Sequence, residues 1–201
     1  TVAFTGVGFA LPIGSNVEAF HRDPNGDRFF STDTTVNLGG GSIARPGDVV
    51  AVVSGTPFVV FSSRLAGLGD GTHVDAVSLA ANGDVLLSFD VTVAFGGTTY
   101  ADEDVVRVDP SGASAMAFDG SASGIPPALD LDAVHQLPNG RLLVSFDAGG
   151  FVGPLVADDE DILEYDPGAG TWELNDDAST RYAAWSAADL DALHAQAAPE
   201  R

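Results

Sequence analysis

The chain has 201 residues, of which 45% are hydrophobic, so it can bury a substantial core and is not expected to be disordered. Its 29 acidic residues outnumber 8 basic ones, and the formal net charge of -21 argues against a nucleic-acid partner and an anionic membrane surface. The charge is compatible both with solubility in salty surroundings and with specific cation binding. Because the chain lacks cysteine, disulfides, thiolate zinc sites and cysteine nucleophiles are excluded. No apolar run approaches about 18 residues, so no membrane span is predicted.

A repeat of about 57 residues organises the sequence as a single repeat domain. One Asn-Gly turn marks each copy, at Asn25-Gly26, Asn82-Gly83 and Asn139-Gly140. The full copies cover 17–73, 74–130 and 131–189, between terminal pieces 1–16 and 190–201. A fourth repeat opening at 190–194 arrives two residues late. A period of this length is typical of arrays and propellers.

Each copy contains the signals of two hairpins. In the first hairpin, short runs rich in aromatic or branched residues follow the Asn-Gly turn, at 29–33, 85–90 and 142–147. Asn-Gly between two such runs predicts a type I′ turn, which requires positive φ at both central positions. A second hairpin follows a Gly-rich connection, with arms at 105–109 and 113–118 in the middle copy and at 162–166 and 171–175 in the third. The sequence therefore predicts an all-β protein, a propeller-like array of four-stranded antiparallel blades.

The two ends leave the number of blades open. We expect a strand at 2–5 and a further repeat opening at 190–194, which together would form a partial fourth blade. A homodimer could instead complete the ring, or the chain could be a piece of a longer protein, since it starts within a repeat without an initiator Met. The register favours a strand at 190–194. Ser186 before an alanine-rich run favours a helix instead.

Carboxylates repeat at two positions of the first hairpin. With Asn139-Gly140 at the centre of a type I′ turn, Asp132 lies directly opposite Asp147. The same register places Asp75 opposite Asp90 and Glu18 opposite Asp33. Like charges facing each other across a strand pair are destabilising, so a bound cation, a shared proton, an arginine or backbone N–H donors must compensate.

Calcium is the natural cation for such a site, because it takes hard oxygen ligands in irregular geometry. The predicted metal ligands are Glu18, Asp33, Asp75, Asp90, Asp132, Asp147 and Asp191. Four of them occupy the same place at the start of the inner strand of each unit, and would form a ring around one axis: Glu18, Asp75, Asp132 and Asp191. A second acidic position, at Asp48, Asp104 and Asp161, is interpreted as solvated, edge-protecting charge.

Three histidines share one repeat position, at His21, His135 and His194. Although Ser and Asp follow on the next strand, the predicted register points them away from the histidines, which argues against a catalytic triad. Hydrogen-bonded core histidines are the preferred interpretation, whereas His73 lies in a loop and could be a ligand. The late aromatic residues Tyr165, Trp172, Tyr182 and Trp185 are expected to pack in the core rather than form a binding patch.

The motifs of the third copy, 131–140, 142–147, Asp159-Glu160-Asp161-Ile162 and Tyr165-Asp166-Pro167, resemble a known repeat. It occurs in uncharacterised secreted or surface-anchored bacterial proteins and is propeller-like. The resemblance extends over nearly the whole chain and implies an exported bacterial protein, but no activity and no catalytic residues. The first copy departs from the pattern at Arg45-Pro46-Gly47.

Two functions are compatible with these observations. The first is an extracellular, acidic, propeller-like binding or structural module, stabilised by Ca²⁺. The alternative is a metal-dependent hydrolase of esters, lactones or phosphotriesters, in which a carboxylate-bound cation in the central channel polarises the substrate.

Overall fold

Three four-stranded antiparallel sheets dominate the computed structural model, which describes residues 11–181, 183–187, 190 and 192–195. The first repeat forms β1 (Phe20–Arg22), β2 (Arg28–Phe30), β3 (Val36–Gly39), β4 (Ser42–Ala44), β5 (Val49–Val53) and β6 (Thr56–Phe61), followed by α1 (Ser63–Ala66). The second forms β7 (Ala76–Leu79), β8 (Val85–Ser88), β9 (Val93–Phe95), β10 (Thr98–Tyr100), β11 (Val105–Val108) and β12 (Ser114–Phe118). The third forms β13 (Leu131–Gln136), β14 (Leu142–Phe146), β15 (Gly150–Val152), β16 (Leu155–Ala157), β17 (Ile162–Asp166) and β18 (Thr171–Asp176), before α2 (Ala178–Arg181).

Each repeat builds one blade from its first two and last two strands. The pairing orders are β1-β2-β5-β6 in blade 1, β7-β8-β11-β12 in blade 2 and β13-β14-β17-β18 in blade 3. The prediction of an all-β, propeller-like array of four-stranded antiparallel blades is confirmed. The Gly-rich connection within each blade also forms a small hairpin that the sequence did not predict, at β3-β4, β9-β10 and β15-β16.

The predicted type I′ geometry of the Asn-Gly turns is wrong. Among the described non-glycine residues only Ser54 has a positive φ, whereas Gly26, Gly83 and Gly140 have φ near 90°. In blade 3, Leu137 N donates to Arg141 O and Gly140 N to Leu137 O, which leaves three residues in the loop. This pattern is the three-residue hairpin, in which a single left-handed glycine closes the loop. A two-residue turn with positive φ at both positions occurs elsewhere, at Ser54-Gly55 and Gly96-Gly97.

The three-residue loop moves the hairpin register by one residue. His135 pairs with Leu143 and Ala133 with Ser145, and a β-bulge lies between Leu131 and Ala133. The predicted facing pairs, Asp132 with Asp147, Asp75 with Asp90 and Glu18 with Asp33, are therefore wrong. A one-residue slip exchanges the two faces of a strand, so the positions of the carboxylates follow from the observed register rather than from the predicted one.

Apolar side chains fill the spaces between adjacent blades. Between blades 1 and 2 lies a cluster that includes Phe61, Phe89, Phe95 and the fully buried Tyr100. A second cluster, with Phe118, Leu131, Phe146 and Leu163 among its members, joins blades 2 and 3. Burying such rings removes large apolar areas from water and fixes the angle between neighbouring blades.

The inner strands of the three blades converge, and the C-terminal segment lies beside them. β7 packs against both β1 and β13. Ser145 Oγ donates to Leu190 O at 3.0 Å, as Ser31 Oγ of blade 1 donates to Val74 O. Leu193 packs on blade 3, and the His194 ring lies 5.2 Å from the His21 ring of blade 1. Residues 190 and 192–195 therefore occupy a fourth position around the axis.

The predicted elements at the two ends have different outcomes. The expected strand at 2–5 lies outside the described residues, and so does Asp191. The described residues of 190–195 carry no strand assignment. The alternative, a helix from Ser186 onwards, has no helix assignment at residues 190 and 192–195 either, and α2 is followed by a 3-10 helix at Ala183–Ala187. Within the described part of the chain, no helix has the length and apolar character needed to cross a bilayer.

Candidate functional site

A cavity of about 250 Å³ lies where the inner strands begin. Its lining residues are Asn16, Glu18, His73, Asp75, Asp90, Asp130, Asp132 and Asp147. We call this cavity the acidic pocket. Five of the predicted ligands line it, Glu18, Asp75, Asp90, Asp132 and Asp147. Asp33 is not in the lining, but its charge acts on Glu18.

One repeated carboxylate in each blade accepts a backbone hydrogen bond. Asp33 Oδ1 accepts from Asn16 N at 2.8 Å, Asp90 Oδ1 from His73 N at 2.7 Å and Asp147 Oδ1 from Asp130 N at 3.0 Å. In the opposite direction, the backbone N of each of these aspartates donates to the carbonyl oxygen of the same partner residue. These pairs tie the start of each inner strand to the end of the second strand. Backbone N–H donors therefore compensate the negative charges of Asp33, Asp90 and Asp147.

Glu18 has a different partner, a histidine from the segment that leads into the inner strand of blade 2. His73 Nδ1 lies 3.1 Å from Glu18 Oε2, and both side chains are partly exposed. Burial raises the pKa of Glu18, while the hydrogen bond and the charge of His73 lower it. His73 therefore lines the pocket beside Glu18, and its role as a ligand stays a prediction.

Asp75 is the most deeply buried acid of the pocket. Asp75 is 7% exposed, and neither of its carboxylate oxygens has a hydrogen-bond partner among the described residues. Burial raises the pKa of Asp75 well above its ordinary value, and the charges of Asp130 and Asp132 raise it further. A carboxylate in this setting must hold a proton or meet a cation, because an isolated buried charge is costly.

Asp130 is a pocket residue that the sequence reasoning missed. Burial, and after it the charges of Asp102, Asp147 and Asp132, together raise its pKa from 3.8 to about 8. Asp130 shares a repeat column with Asn16 and His73, two residues before the column of Glu18, Asp75 and Asp132. All three members of this column line the pocket. Comparing the copies column by column would have identified it.

The second acidic position has a structural role, and its interpretation as solvated charge is wrong. Asp48 and Asp104 are 2% and 5% exposed. Asp104 Oδ2 accepts from Ala101 N and Oδ1 from Gly120 N, which ties the turn before β11 to the segment after β12. Asp48 binds Arg45 N and Ser63 N in the same way. Each carboxylate thus replaces water as the acceptor for two backbone donors.

The histidines at the shared repeat position are buried, but not in the way expected. His21 and His135 are 4% and 6% exposed, and their Nδ1 atoms, like that of His194, have no hydrogen-bond partner among the described residues. Burial, and after it the charges of the neighbouring histidines, lower the pKa of His21 and of His135 to about 4. In the middle copy, Ser78 Oγ accepts from Gln136 N at 3.2 Å.

The expected core packing of the late aromatic residues is found for two of them. The Tyr165 and Trp172 rings lie 4.8 Å apart and both contact Phe118 of blade 2. Trp172 Nε1 donates to Ser123 O at 2.8 Å. Trp185 is instead 48% exposed, and Tyr182 lies outside the described residues.

Comparisons with known proteins add similarity of fold only. No protein-family model and no curated protein matches the chain. Among solved structures, YCF48 bound to D1 peptide is 10% identical with a TM-score of 0.44, over 79% of this chain and 39% of that one. A catalytically inactive virginiamycin B lyase from Staphylococcus aureus with quinupristin is 10% identical with a TM-score of 0.41, over 85% and 45%. A Bacteroides caccae protein of unknown function is 10% identical with a TM-score of 0.36, over 82% and 61%.

The chain spans between 39% and 61% of the length of these three structures. At such identities and TM-scores, no ligand or activity is carried over from them.

Proposed function

We propose that this chain is an extracellular, acidic, propeller-like binding or structural module whose acidic pocket binds Ca²⁺. The observation that carries the proposal is Asp75, a buried carboxylate without a hydrogen-bond partner, placed beside Asp130 and Asp132. A divalent cation would neutralise these charges where they are least hydrated.

The donor set has the chemistry that Ca²⁺ prefers. All the acidic side chains of the pocket offer carboxylate oxygens, and Ca²⁺ takes about 6 to 8 oxygen ligands in flexible geometry. Asp90 and Asp147 each engage only one oxygen in the backbone hydrogen bonds, which leaves the other available. An arginine could also neutralise these carboxylates, but none is among the described residues that line the pocket.

A proton and a cation compete for the same carboxyl groups. Because burial and neighbouring charge raise the pKa of both Asp75 and Asp130, the metal-free pocket holds protons near neutral pH. Metal ligands must be deprotonated, so Ca²⁺ binding should release protons. A proton shared between neighbouring carboxyl groups would therefore belong to the metal-free form of this site, and Ca²⁺ would displace it.

Thermal unfolding with and without Ca²⁺ tests the proposal. Starting from protein stripped with EDTA, Ca²⁺ at about 100-fold above its Kd should add about 3 kcal/mol, a rise in Tm of about 5–10 °C. Because extracellular calcium modules bind with Kd values of about 10⁻⁴ to 10⁻³ M, the titration should extend to several tens of millimolar, with Mg²⁺ as the ionic-strength control.

Two variants make the test specific to the pocket. Asp75→Asn should abolish most of the Ca²⁺-dependent rise in Tm, whereas Asp70→Asn, which removes an exposed acid in the turn between α1 and β7, should preserve it. Calorimetry in buffers of different ionisation enthalpy should detect proton release on binding. Equal rises in Tm for Ca²⁺ and Mg²⁺, or for both variants, would refute the calcium proposal.

A metal-dependent hydrolase remains a second proposal, and one observation favours it. The pKa of Asp130 is raised to about 8, so this carboxyl group can exchange a proton near neutral pH, as a general base must. A panel of chromogenic esters, lactones and phosphotriesters should then show turnover that requires Ca²⁺ and is lost in Asp130→Asn. Absence of turnover in Ca²⁺-loaded protein would leave the binding module alone.

A further inference from the structure

A second cluster of ligand-type side chains lies deeper along the same inner strands. One nitrogen from each of His21, His135 and His194 lies within 4.8 Å of the other two. The His21 and His135 rings are stacked with centroids 5.5 Å apart, and the His194 ring meets each of them edge-on at 5.2 Å. We call this group the histidine cluster. Two blades and the C-terminal segment each contribute one ring.

The repeat architecture explains why these rings meet. The three histidines occupy equivalent positions in their units, three residues after Glu18, Asp132 and the position of Asp191. Strands related by rotation around an axis bring equivalent side chains together. The middle copy supplies Ser78 instead, which is fully buried and bonded to Gln136 N. The cluster is therefore a set of three imidazoles with one smaller neighbour.

Packing alone accounts poorly for the cluster. Each neutral imidazole carries one donor and one acceptor nitrogen, and all three Nδ1 atoms are buried without a hydrogen-bond partner among the described residues. A buried polar atom left without a partner costs about 1–3 kcal/mol. Apolar residues would fill the same space without this cost. Three neutral imidazoles with converging nitrogens are, however, the ligands that divalent transition metals prefer.

We propose that His21, His135 and His194 bind one divalent transition-metal ion, best matched by Zn²⁺. Three histidines with an open fourth position form a known type of tetrahedral zinc environment. Zn–N bonds of about 2.0–2.1 Å place ligand nitrogens about 3.4 Å apart, so two nitrogens at the 4.8 Å limit must approach each other by about 1.4 Å. His194 is only partly buried, and its side of the cluster gives the ion access.

This site differs from the acidic pocket in ligand chemistry and in its residues. Carboxylate oxygens select Ca²⁺, whereas imidazoles select Zn²⁺ and its neighbours. The two metals should therefore bind independently, and each site should respond to its own substitutions. A failure of the calcium proposal would leave the zinc proposal intact, and the reverse also holds.

The test uses the full chain without a histidine tag, with ZnCl₂ and CoCl₂ as probes after chelator treatment. We expect 1:1 Zn²⁺ binding by competition with a chromophoric chelator, and a Co²⁺ visible spectrum of tetrahedral intensity. His194→Gln should weaken Zn²⁺ binding by more than about 100-fold, since even loss of an outer-shell partner costs 10- to 100-fold. His135→Gln should do the same.

Controls separate the cluster from the rest of the molecule. Asp75→Asn should retain the Zn²⁺ stoichiometry and the Co²⁺ spectrum while it loses the response to Ca²⁺. Circular dichroism establishes that the histidine variants fold, and His194→Gln is the milder of the two because its ring is the least buried. No 1:1 Zn²⁺ binding, binding that survives in both histidine variants, or binding that is lost in Asp75→Asn would overturn the proposal.

Discussion

Replacing Asp130 by Asn should remove part of the pH dependence of stability in the metal-free protein. The pKa of Asp130 is about 8 in the folded chain and about 3.8 when unfolded, so the folded state holds an additional proton between these values. Stability from this group is therefore complete below about pH 4 and is lost as pH rises through 8. Its backbone hydrogen bonds with Asp147 do not involve the substituted atoms.

The magnitude follows from the pKa. At about 1.4 kcal/mol for each pKa unit, the loss between pH 5 and pH 8 has an upper limit of about 4 kcal/mol. Asp130 is only partly buried, so solvent screening reduces the expected loss to about 2 kcal/mol, or about 4–8 °C in Tm. In EDTA, the original chain should lose this much more than Asp130→Asn between the two pH values.

Urea unfolding at pH 5 and pH 8 measures the difference directly, with Asp70→Asn as the matched control for removal of one negative charge. That control should lose stability in parallel with the original chain. If Asp130→Asn also runs parallel to it, Asp130 is ionised at pH 8 at no cost, and the reasoning about a crowded, poorly hydrated pocket is refuted.

Three further substitutions test the contacts that hold the blades, each by urea unfolding at pH 7. Asp104→Ala should cost about 2–4 kcal/mol because two backbone N–H groups lose their buried acceptor, and a cost below 1 kcal/mol would contradict this role. Ser145→Ala should cost about 1 kcal/mol and should speed proteolysis near residue 190, whereas unchanged proteolysis would show that the hydrogen bond does not hold that segment. Ser54→Gly should stabilise the chain by about 1 kcal/mol because Ser54 has a φ of 50°, and a destabilised variant would contradict strain at that turn.

The blades were predictable because local signals specify them. Alternation of apolar residues, Asn-Gly turns and the second pair of arms predicted the four strands of each sheet, and β17 (Ile162–Asp166) begins and ends as expected. The register was not predictable from Asn-Gly alone, because the pair fits two-residue and three-residue loops, which differ in the φ of Asn. The small hairpins escaped prediction because strands of three or four residues carry little periodicity.

The site was predictable in part. Repetition identified the carboxylates that gather near the axis, even though the argument from facing pairs was wrong, because rotation brings equivalent residues together whatever the hairpin register. Asp130 was missed because its column contains Asn, His and Asp, which do not look alike in sequence. The histidine cluster was missed because the predicted register treated each histidine within its own hairpin and not with its counterparts in other blades.

The contact between His194 and His21 joins positions separated by about 170 residues along the chain. Every blade forms from neighbours in sequence, so blades can nucleate separately and early, whereas this last contact requires closure of a very long loop. Meeting of the two chain regions should therefore be a late kinetic step that follows assembly of the individual sheets. An ion bound by residues of both chain regions would slow their separation more than it would speed their first contact.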